Sequence, residues 1–147
     1  MGDEPIPPST SNQTPLTVSE ERQWAMFAHL GVLINLVSGF LGPLVPLIIY
    51  MIYKDRSRYV AYQSLQALIF QLVWWIGGGV ITAAAWAITG ALSAVIIGII
   101  CIPLACVISL IPLVALGYGI YAGVQTSQGQ DFKYWLIGDW VRGTLTG

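Results

Sequence analysis

The chain has 147 residues, of which 56% are hydrophobic and only 9% charged, with a formal net charge of −1 and a mean hydropathy of +0.72. Soluble domains carry about 25% charged residues, whereas no Asp, Glu, Lys or Arg occurs here between Tyr59 and Gln130. This distribution excludes an ordinary soluble fold and indicates a membrane protein, because a spanning helix needs only about 20 apolar residues. No nucleic-acid partner is expected, because the chain has no basic run beyond Lys54, Arg56 and Arg58.

The N-terminal residues 1–18 are rich in Pro, Ser and Thr, which predicts a disordered polar tail. Thr17 and Glu20 have the spacing of a capping box, in which a hydroxyl and a carboxylate bond reciprocally to backbone N–H groups. A first helix is therefore predicted to begin here and to continue as far as Val37. The segment from Ser38 to Pro43 contains two glycines and a proline, and it is predicted to end this helix.

A second apolar helix is predicted from Leu44 to Tyr53, followed by a charged loop from Lys54 to Arg58. Both of the first two helices are short for a hydrocarbon core about 30 Å thick. The pair is therefore predicted to be a hairpin that either crosses the membrane with a tilt or dips in and returns. In both cases its two ends emerge on the same side.

The apolar tract from Tyr59 to Gln125 is too long for one span. It fits two long spans, broken near Thr89 and Gly90 or near Pro103, and it also fits three short spans with a further break at 77–79. Charge placement favours two spans, because six cations then lie together on one side, as the positive-inside rule requires. These cations are Arg22, Lys54, Arg56, Arg58, Lys133 and Arg142.

The predicted fold is thus an all-α polytopic membrane protein. It is a four-helix bundle with a short N-terminal hairpin and two long spans, over residues 19–126. It is expected in the plasma membrane, with the lipid bilayer as its first partner and both termini in the cytoplasm. Residues 127–147 contain an aromatic stretch too short to span, and they are predicted to lie at the membrane interface with Tyr and Trp at headgroup level.

Polar side chains form a stripe on the third predicted helix. On a helix of 3.6 residues per turn, five side chains fall within roughly 100° of one another: Tyr59, Tyr62, Gln63, Gln66 and Phe70. Gln71 lies about 80° from Gln63, off the main stripe. The polar members are Tyr59, Tyr62, Gln63, Gln66 and Gln71. An unsatisfied amide in hydrocarbon costs several kcal/mol, so the stripe is predicted to face the bundle interior. It either bonds neighbouring helices together or lines a polar pathway.

Two further polar residues, His29 and Asn35, occur in the first predicted helix. A membrane histidine is a candidate functional residue, but no carboxylate lies in the apolar segments to form a proton relay with it. His29 is therefore interpreted as a neutral hydrogen-bonding residue. Rows of Gly and Ala at four-residue spacing permit close helix packing, either within the chain or between copies of it.

No enzyme motif is found, and the sequence predicts neither an enzyme nor a cofactor or metal site. Cys101 and Cys106 lie five positions apart in an apolar stretch and are interpreted as small packing residues. The function expected is that of a structural or interaction subunit of a membrane assembly, with a second copy or other membrane proteins as partners. The alternative is a channel or translocation component lined by the stripe.

Short motifs in a fixed order carry a resemblance to a known family. They are Trp24 and His29, Gly42-Pro43, Lys54-Asp55, Gln66-Ala67-Leu68, Phe70-Gln71, and Phe132 with Tyr134. In this order the chain resembles a group of uncharacterised prokaryotic four-helix membrane proteins that is similar to the Tic-twenty family of chloroplast inner-envelope translocon subunits. The resemblance implies a four-helix membrane domain from about Glu21 to Val141.

Overall fold

The computed structural model describes residues 14–146, and all regular structure in that range is helical. The predicted disordered tail lies mostly outside the described residues. The helices are α1 (Val18–Leu30), α2 (Asn35–Ser38), α3 (Leu44–Tyr53), α4 (Arg58–Gln71), α5 (Gly78–Ser93), α6 (Ile97–Ile108), α7 (Ile111–Ser127) and α8 (Gly138–Thr146). A 3₁₀ turn, Gly31–Ile34, joins α1 to α2, and a π-helical turn, Leu72–Gly77, joins α4 to α5.

The predicted capping box is present at the start of α1. The Glu20 amide donates to the Thr17 hydroxyl at 3.3 Å, and the Thr17 amide donates to the Glu20 carboxylate at 2.8 Å. These hydrogen bonds hold the pKa of the Glu20 carboxyl below its usual value. The sequence prediction of this helix start is therefore confirmed.

The turn between α2 and α3 is fixed by a buried side chain. Asn35 Oδ1 accepts a hydrogen bond of 2.7 Å from the Gly42 amide. A Cβ atom at Gly42 would lie 2.5 to 2.6 Å from the amide group of Asn35, so only glycine fits there. The chain then enters α3 at Leu44, and α3 ends at Tyr53, the bounds that the sequence predicted.

Two helical runs among the described residues are long and apolar enough to cross a membrane: Arg58–Ser93, with 36 residues, and Ile97–Ser127, with 31 residues. The first is unbroken at 77–79, because the π-helical turn ends at Gly77 and α5 continues directly from Gly78. This continuity excludes the extra break of the three-span alternative. At about 1.5 Å per residue the first run is roughly 54 Å long, which is more than the hydrocarbon thickness of a bilayer.

The two long runs are joined at residues 94–96, a few residues after the predicted break near Thr89 and Gly90 and not at the alternative near Pro103. Ile96 adopts a positive φ of 67°, and Gly98 packs its backbone against Ser93 and the Thr89 carbonyl so closely that no Cβ would fit. Pro103 lies inside α6, where membrane helices tolerate proline. Pro112 occupies the first turn of α7, where its missing N–H costs no helical hydrogen bond.

The packed part of the molecule consists of α1, α3, α4, α7 and α8. Helix α1 lies against both α4 and α7, α3 packs on α4, and α8 contacts the first turns of α4. Helices α5 and α6 pack against each other and leave large apolar side chains exposed, among them Ile100 at 78%. The α5–α6 hairpin is therefore an apolar arm that extends from a packed core.

Charged residues meet at one end of this core. The Ser57 hydroxyl donates to the Glu21 carboxylate at 2.6 Å, and Arg56 donates to the Thr14 carbonyl at 3.0 Å. Gly129 lies directly against the Arg22 side chain. Hereafter this region, where the start of α1, the α3–α4 turn and the C-terminal residues meet, is called the charged end.

Replacing Gly42 by Ala tests the turn. The new methyl group overlaps the Asn35 amide, so we expect Gly42→Ala to lower the free energy of unfolding by about 1 to 3 kcal/mol. Gly117→Ala on α7 is the matched control, since its Cβ would meet open space and helical Ala is favoured over Gly. Thermal unfolding in detergent, followed by tryptophan fluorescence, measures both. An unchanged melting temperature for Gly42→Ala would contradict this role.

Candidate functional site

The polar stripe of α4 binds the C-terminal part of the chain. We call residues 130–137 the C-terminal loop; it leaves α7 at the charged end and descends along α4. Its start is held by the Tyr59 hydroxyl, which donates to the Gln130 carbonyl at 3.0 Å. Its deepest aromatic residue, Tyr134, stacks on Phe70 with ring centroids 4.0 Å apart. The loop therefore follows the stripe for about three helical turns.

The chain then returns to the charged end. The Tyr62 hydroxyl donates to the Gly138 carbonyl at 3.4 Å, where α8 begins. Arg58 donates to the Leu145 carbonyl at 3.1 Å, near the end of α8. The C-terminal loop and α8 together form a U-shaped element packed on one face of α4.

Two glutamine amides hold the bottom of this element. Gln66 Nε2 donates to the Phe132 carbonyl at 2.7 Å, and Gln66 Oε1 accepts from the Tyr134 amide at 3.2 Å. Gln63 Nε2 donates to the same Phe132 carbonyl at 3.1 Å and to Asp131 Oδ1 at 3.2 Å. A second bond between Gln66 Nε2 and Gln63 Oε1, 2.6 Å long, links the two side chains. All four polar atoms of the pair are thereby bonded, although both residues are fully buried.

His29 joins the same network from α1. Its Nε2 lies 3.0 Å from Gln63 Oε1, and its Nδ1 lies 3.1 Å from the Tyr134 hydroxyl. An amide oxygen only accepts, so Nε2 carries the proton and Nδ1 accepts from the tyrosine. A neutral imidazole can make both contacts, and the neutral state of His29 stays a prediction.

Aromatic rings surround the loop on the remaining side. Tyr118 of α7 meets Phe132 and Tyr134 in edge-to-face geometry, with centroids 5.7 and 5.2 Å apart. Phe132 also lies edge-on to Tyr134 at 4.9 Å. Such pairs add about 0.5 to 1.5 kcal/mol each beyond simple burial. The loop is thus held by hydrogen bonds on one side and aromatic contacts on the other.

Two of the predicted polar residues lie outside the network. Gln71 is buried and points toward α1, where its Nε2 donates to the Ala28 carbonyl at 3.4 Å. Asn35 fixes the α2–α3 turn, where its Oδ1 accepts from the Gly42 amide. These two residues are local packing groups, whereas the stripe proper comprises Tyr59, Tyr62, Gln63 and Gln66.

The sequence prediction for the C-terminal segment needs a correction. Tyr134 was expected at headgroup level, but it is only 2% exposed and packs inside the core. The reason is that its ring and hydroxyl both find partners there, in Phe70 and His29. Trp135 and Trp140 are exposed at 82% and 63%, as interfacial aromatics are. The segment is therefore anchored in the core by one aromatic and exposes the others.

Ion pairs close the top of the element. Arg142 of α8 donates to Asp131 at 2.6 Å, and its guanidinium lies 4.6 Å from the centre of the Tyr62 ring. Asp131 raises the pKa of Arg142 through this hydrogen bond. Lys133 pairs with Asp139 at 2.8 Å. Both pairs are largely exposed, so each contributes little to stability, and their effect is to fix α8 relative to the loop.

Sequence comparison identifies the family. A model of the magnetosome magnetite crystal formation protein family, MamF/MmsF, matches residues 20–141. The chain belongs to this family. The match runs from the first turn of α1 to Val141 of α8, so it includes every residue of the hydrogen-bond network. No curated protein and no solved structure matches the chain.

The MamF/MmsF match overturns the resemblance to the Tic-twenty family, which was wrong. The motifs behind that resemblance are short, and tryptophans, Gly-Pro turns and glutamines occur in small helical membrane proteins of many kinds. In this chain the residues of those motifs have structural roles. Gly42 lies in the α2–α3 turn, and Gln66, Phe70 and Tyr134 belong to the buried network. The family agrees with the expected membrane location, and its description points to the magnetosome rather than to the plasma membrane.

Substituting Gln66 by Leu tests the network. The change leaves the buried Tyr134 amide without an acceptor, which costs about 1 to 3 kcal/mol. We expect trypsin to cut at Lys133 roughly tenfold faster or more in detergent, because cleavage follows local opening of the loop. Gln125→Leu is the control, since Gln125 bonds Tyr121 within its own helix. Equal cleavage rates in the two variants would show that Gln66 does not hold the loop.

Proposed function

We propose that this protein is a structural or interaction subunit of the magnetosome membrane that acts in magnetite crystal formation without being an enzyme. The observation that carries the proposal is the family match over residues 20–141. Its long helices support a membrane role, because most of the residues in their most apolar windows are unburied within the chain. These apolar surfaces are available to lipid or to other membrane proteins.

The proposed membrane arrangement is a four-helix bundle. The segment from α1 to α3 forms a short hairpin, and the runs Arg58–Ser93 and Ile97–Ser127 form two long spans. The charged end supports this arrangement, since both the start of α1 and the end of α8 lie there. By the positive-inside rule, this end with both termini faces the cytoplasm.

A channel lined by the stripe is the weaker candidate. The amides of Gln63 and Gln66 are bonded to the C-terminal loop and to His29, so they have no remaining atom to offer to a passing ion. Because the chain's own loop fills the interior beside the stripe, a structural protein is favoured over a channel. In the proposed structural subunit, the hydrogen-bond network therefore serves to hold the chain's own loop in place.

Labelling with a membrane-impermeant maleimide tests the arrangement. Single cysteines replace Asp55, Gln128, Ala94 or Ser64 in a chain whose Cys101 and Cys106 are serine. Ser64 is buried on α4, and a cysteine there is nearly isosteric and leaves both glutamines in place. In isolated intact magnetosomes we expect Asp55→Cys and Gln128→Cys to label, Ala94→Cys to label only after detergent permeabilisation, and Ser64→Cys to remain unlabelled. Labelling of Ala94→Cys without permeabilisation would contradict the arrangement, and labelling of Ser64→Cys would revive the channel.

Deletion and complementation test the function. Removing the protein is expected to change the size or shape of magnetite crystals in electron micrographs, and the wild-type chain is expected to restore them. Cross-linking in the magnetosome membrane is expected to capture copies of the chain or other membrane proteins. Unchanged crystals would contradict a role in crystal formation, and a chain recovered as an isolated monomer would contradict an interaction role.

A further inference from the structure

A cavity of about 470 Å³ opens at the charged end, between the α3–α4 turn and α8. Its wall includes Lys54, Arg58 and Arg142, with Asp131 as the acidic member. Three cations against one anion leave a surplus of two positive charges. Asp131 already forms an ion pair of 2.6 Å with Arg142, so its carboxylate does not neutralise Lys54 or Arg58 directly.

The cavity has a fixed geometry for an anion. Arg58 is oriented by its bond of 3.1 Å to the Leu145 carbonyl, which engages one Nη2 hydrogen of a group with five N–H donors. Arg142 is oriented by Asp131 and by the face of the Tyr62 ring. Lys54 is exposed at the end of α3 and provides an ammonium group on the other side of the α3–α4 turn. Guanidinium and ammonium groups arranged in this way match the oxygens of a phosphate.

The rest of the wall is apolar and aromatic. Ala61 and Leu145 contribute aliphatic surface, and Tyr59 and Tyr62 contribute aromatic rings. Under the proposed arrangement the cavity lies where α4 enters the bilayer, at the depth of lipid headgroups. A ligand that combines a phosphate with an adjoining apolar chain fits both parts of the wall.

We propose that this cavity binds the phosphate of an anionic phospholipid, with Lys54 and Arg58 at the phosphate and Leu145 beside the start of the acyl chains. Basic pockets between helices on the cytoplasmic side of membrane proteins bind such headgroups. The inference rests on the proposed membrane arrangement. Its consequence is that a bound lipid bridges the α3–α4 turn and α8, and so holds the U-shaped element against α4.

Native mass spectrometry of the full-length protein in detergent tests the proposal. Phosphatidylglycerol and the zwitterionic phosphatidylcholine are added in parallel, and retention of each lipid is measured. We expect phosphatidylglycerol to be retained about tenfold more strongly. The charge-removing substitutions Lys54→Gln and Arg58→Gln are each expected to reduce this preference about two- to fivefold, in line with the loss of one ion pair at an exposed site.

Lys133→Gln is the matched control, because Lys133 lies at the same end but pairs with Asp139 outside the cavity. It removes the same charge and is expected to leave the lipid preference unchanged. Circular dichroism verifies that every variant is folded. Equal loss of preference in Lys133→Gln would show a general charge effect and overturn the proposal.

Competition with inorganic phosphate distinguishes a lipid ligand from free phosphate. If inorganic phosphate displaces phosphatidylglycerol only at concentrations far above that of the lipid, the lipid is the ligand, as proposed. If inorganic phosphate binds while the two lipids are retained equally, the site takes free phosphate and the lipid proposal is overturned. Equal lipid retention in the presence of the expected maleimide pattern would overturn this site while leaving the membrane arrangement intact.

Discussion

Buried amides that must be hydrogen-bonded are the constraint on which this structure depends. A membrane helix satisfies its own backbone, whereas an irregular segment at membrane depth needs partners from the protein around it. Gln63 and Gln66 supply them, because a side-chain amide both donates and accepts. Gln66 bonds the Phe132 carbonyl and the Tyr134 amide at once, and thereby substitutes for the helical bonds that the loop lacks.

This constraint explains the distribution of the other features. The loop brings Asp131 and α8 to the charged end. There Arg142 pairs with Asp131, and Arg58 donates to the Leu145 carbonyl of α8. The cavity proposed for a lipid phosphate exists because α8 returns to that end. The α5–α6 arm has no part in the network, and its exposed apolar side chains are the surface that a structural subunit of the magnetosome membrane would present to lipid or partners.

Much of the helical framework was predictable from local patterns. The capping box at Thr17, the bounds of α3 and the two long apolar runs follow from residue types within a few positions of each other. The link at 94–96 was not predictable, because Ile96 takes a left-handed conformation that its β-branched side chain disfavours. Tight packing of Gly98 against α5 stabilises that turn, and such a contact between helices leaves no local pattern.

The candidate site was also predictable only in part. Helical spacing placed Tyr59, Tyr62, Gln63 and Gln66 on one face, but it could not name their partner, which lies some 70 residues later in an irregular loop. The alternation of Phe132 and Tyr134 with charged residues was the available signal, and it was interpreted as interfacial. The family was likewise misjudged from short motifs, since these reflect helix packing that unrelated membrane proteins share.

Hydrogen exchange of the Tyr134 amide, measured by NMR on the reconstituted protein, tests the central claim most directly. This amide lies in an irregular loop, and its acceptor is the Gln66 side chain. If the stripe binds the C-terminal loop as described, Tyr134 exchanges as slowly as buried amides of α4. Exchange as fast as that of the exposed residues around Gln128 would show that the loop is not held, and it would contradict the account.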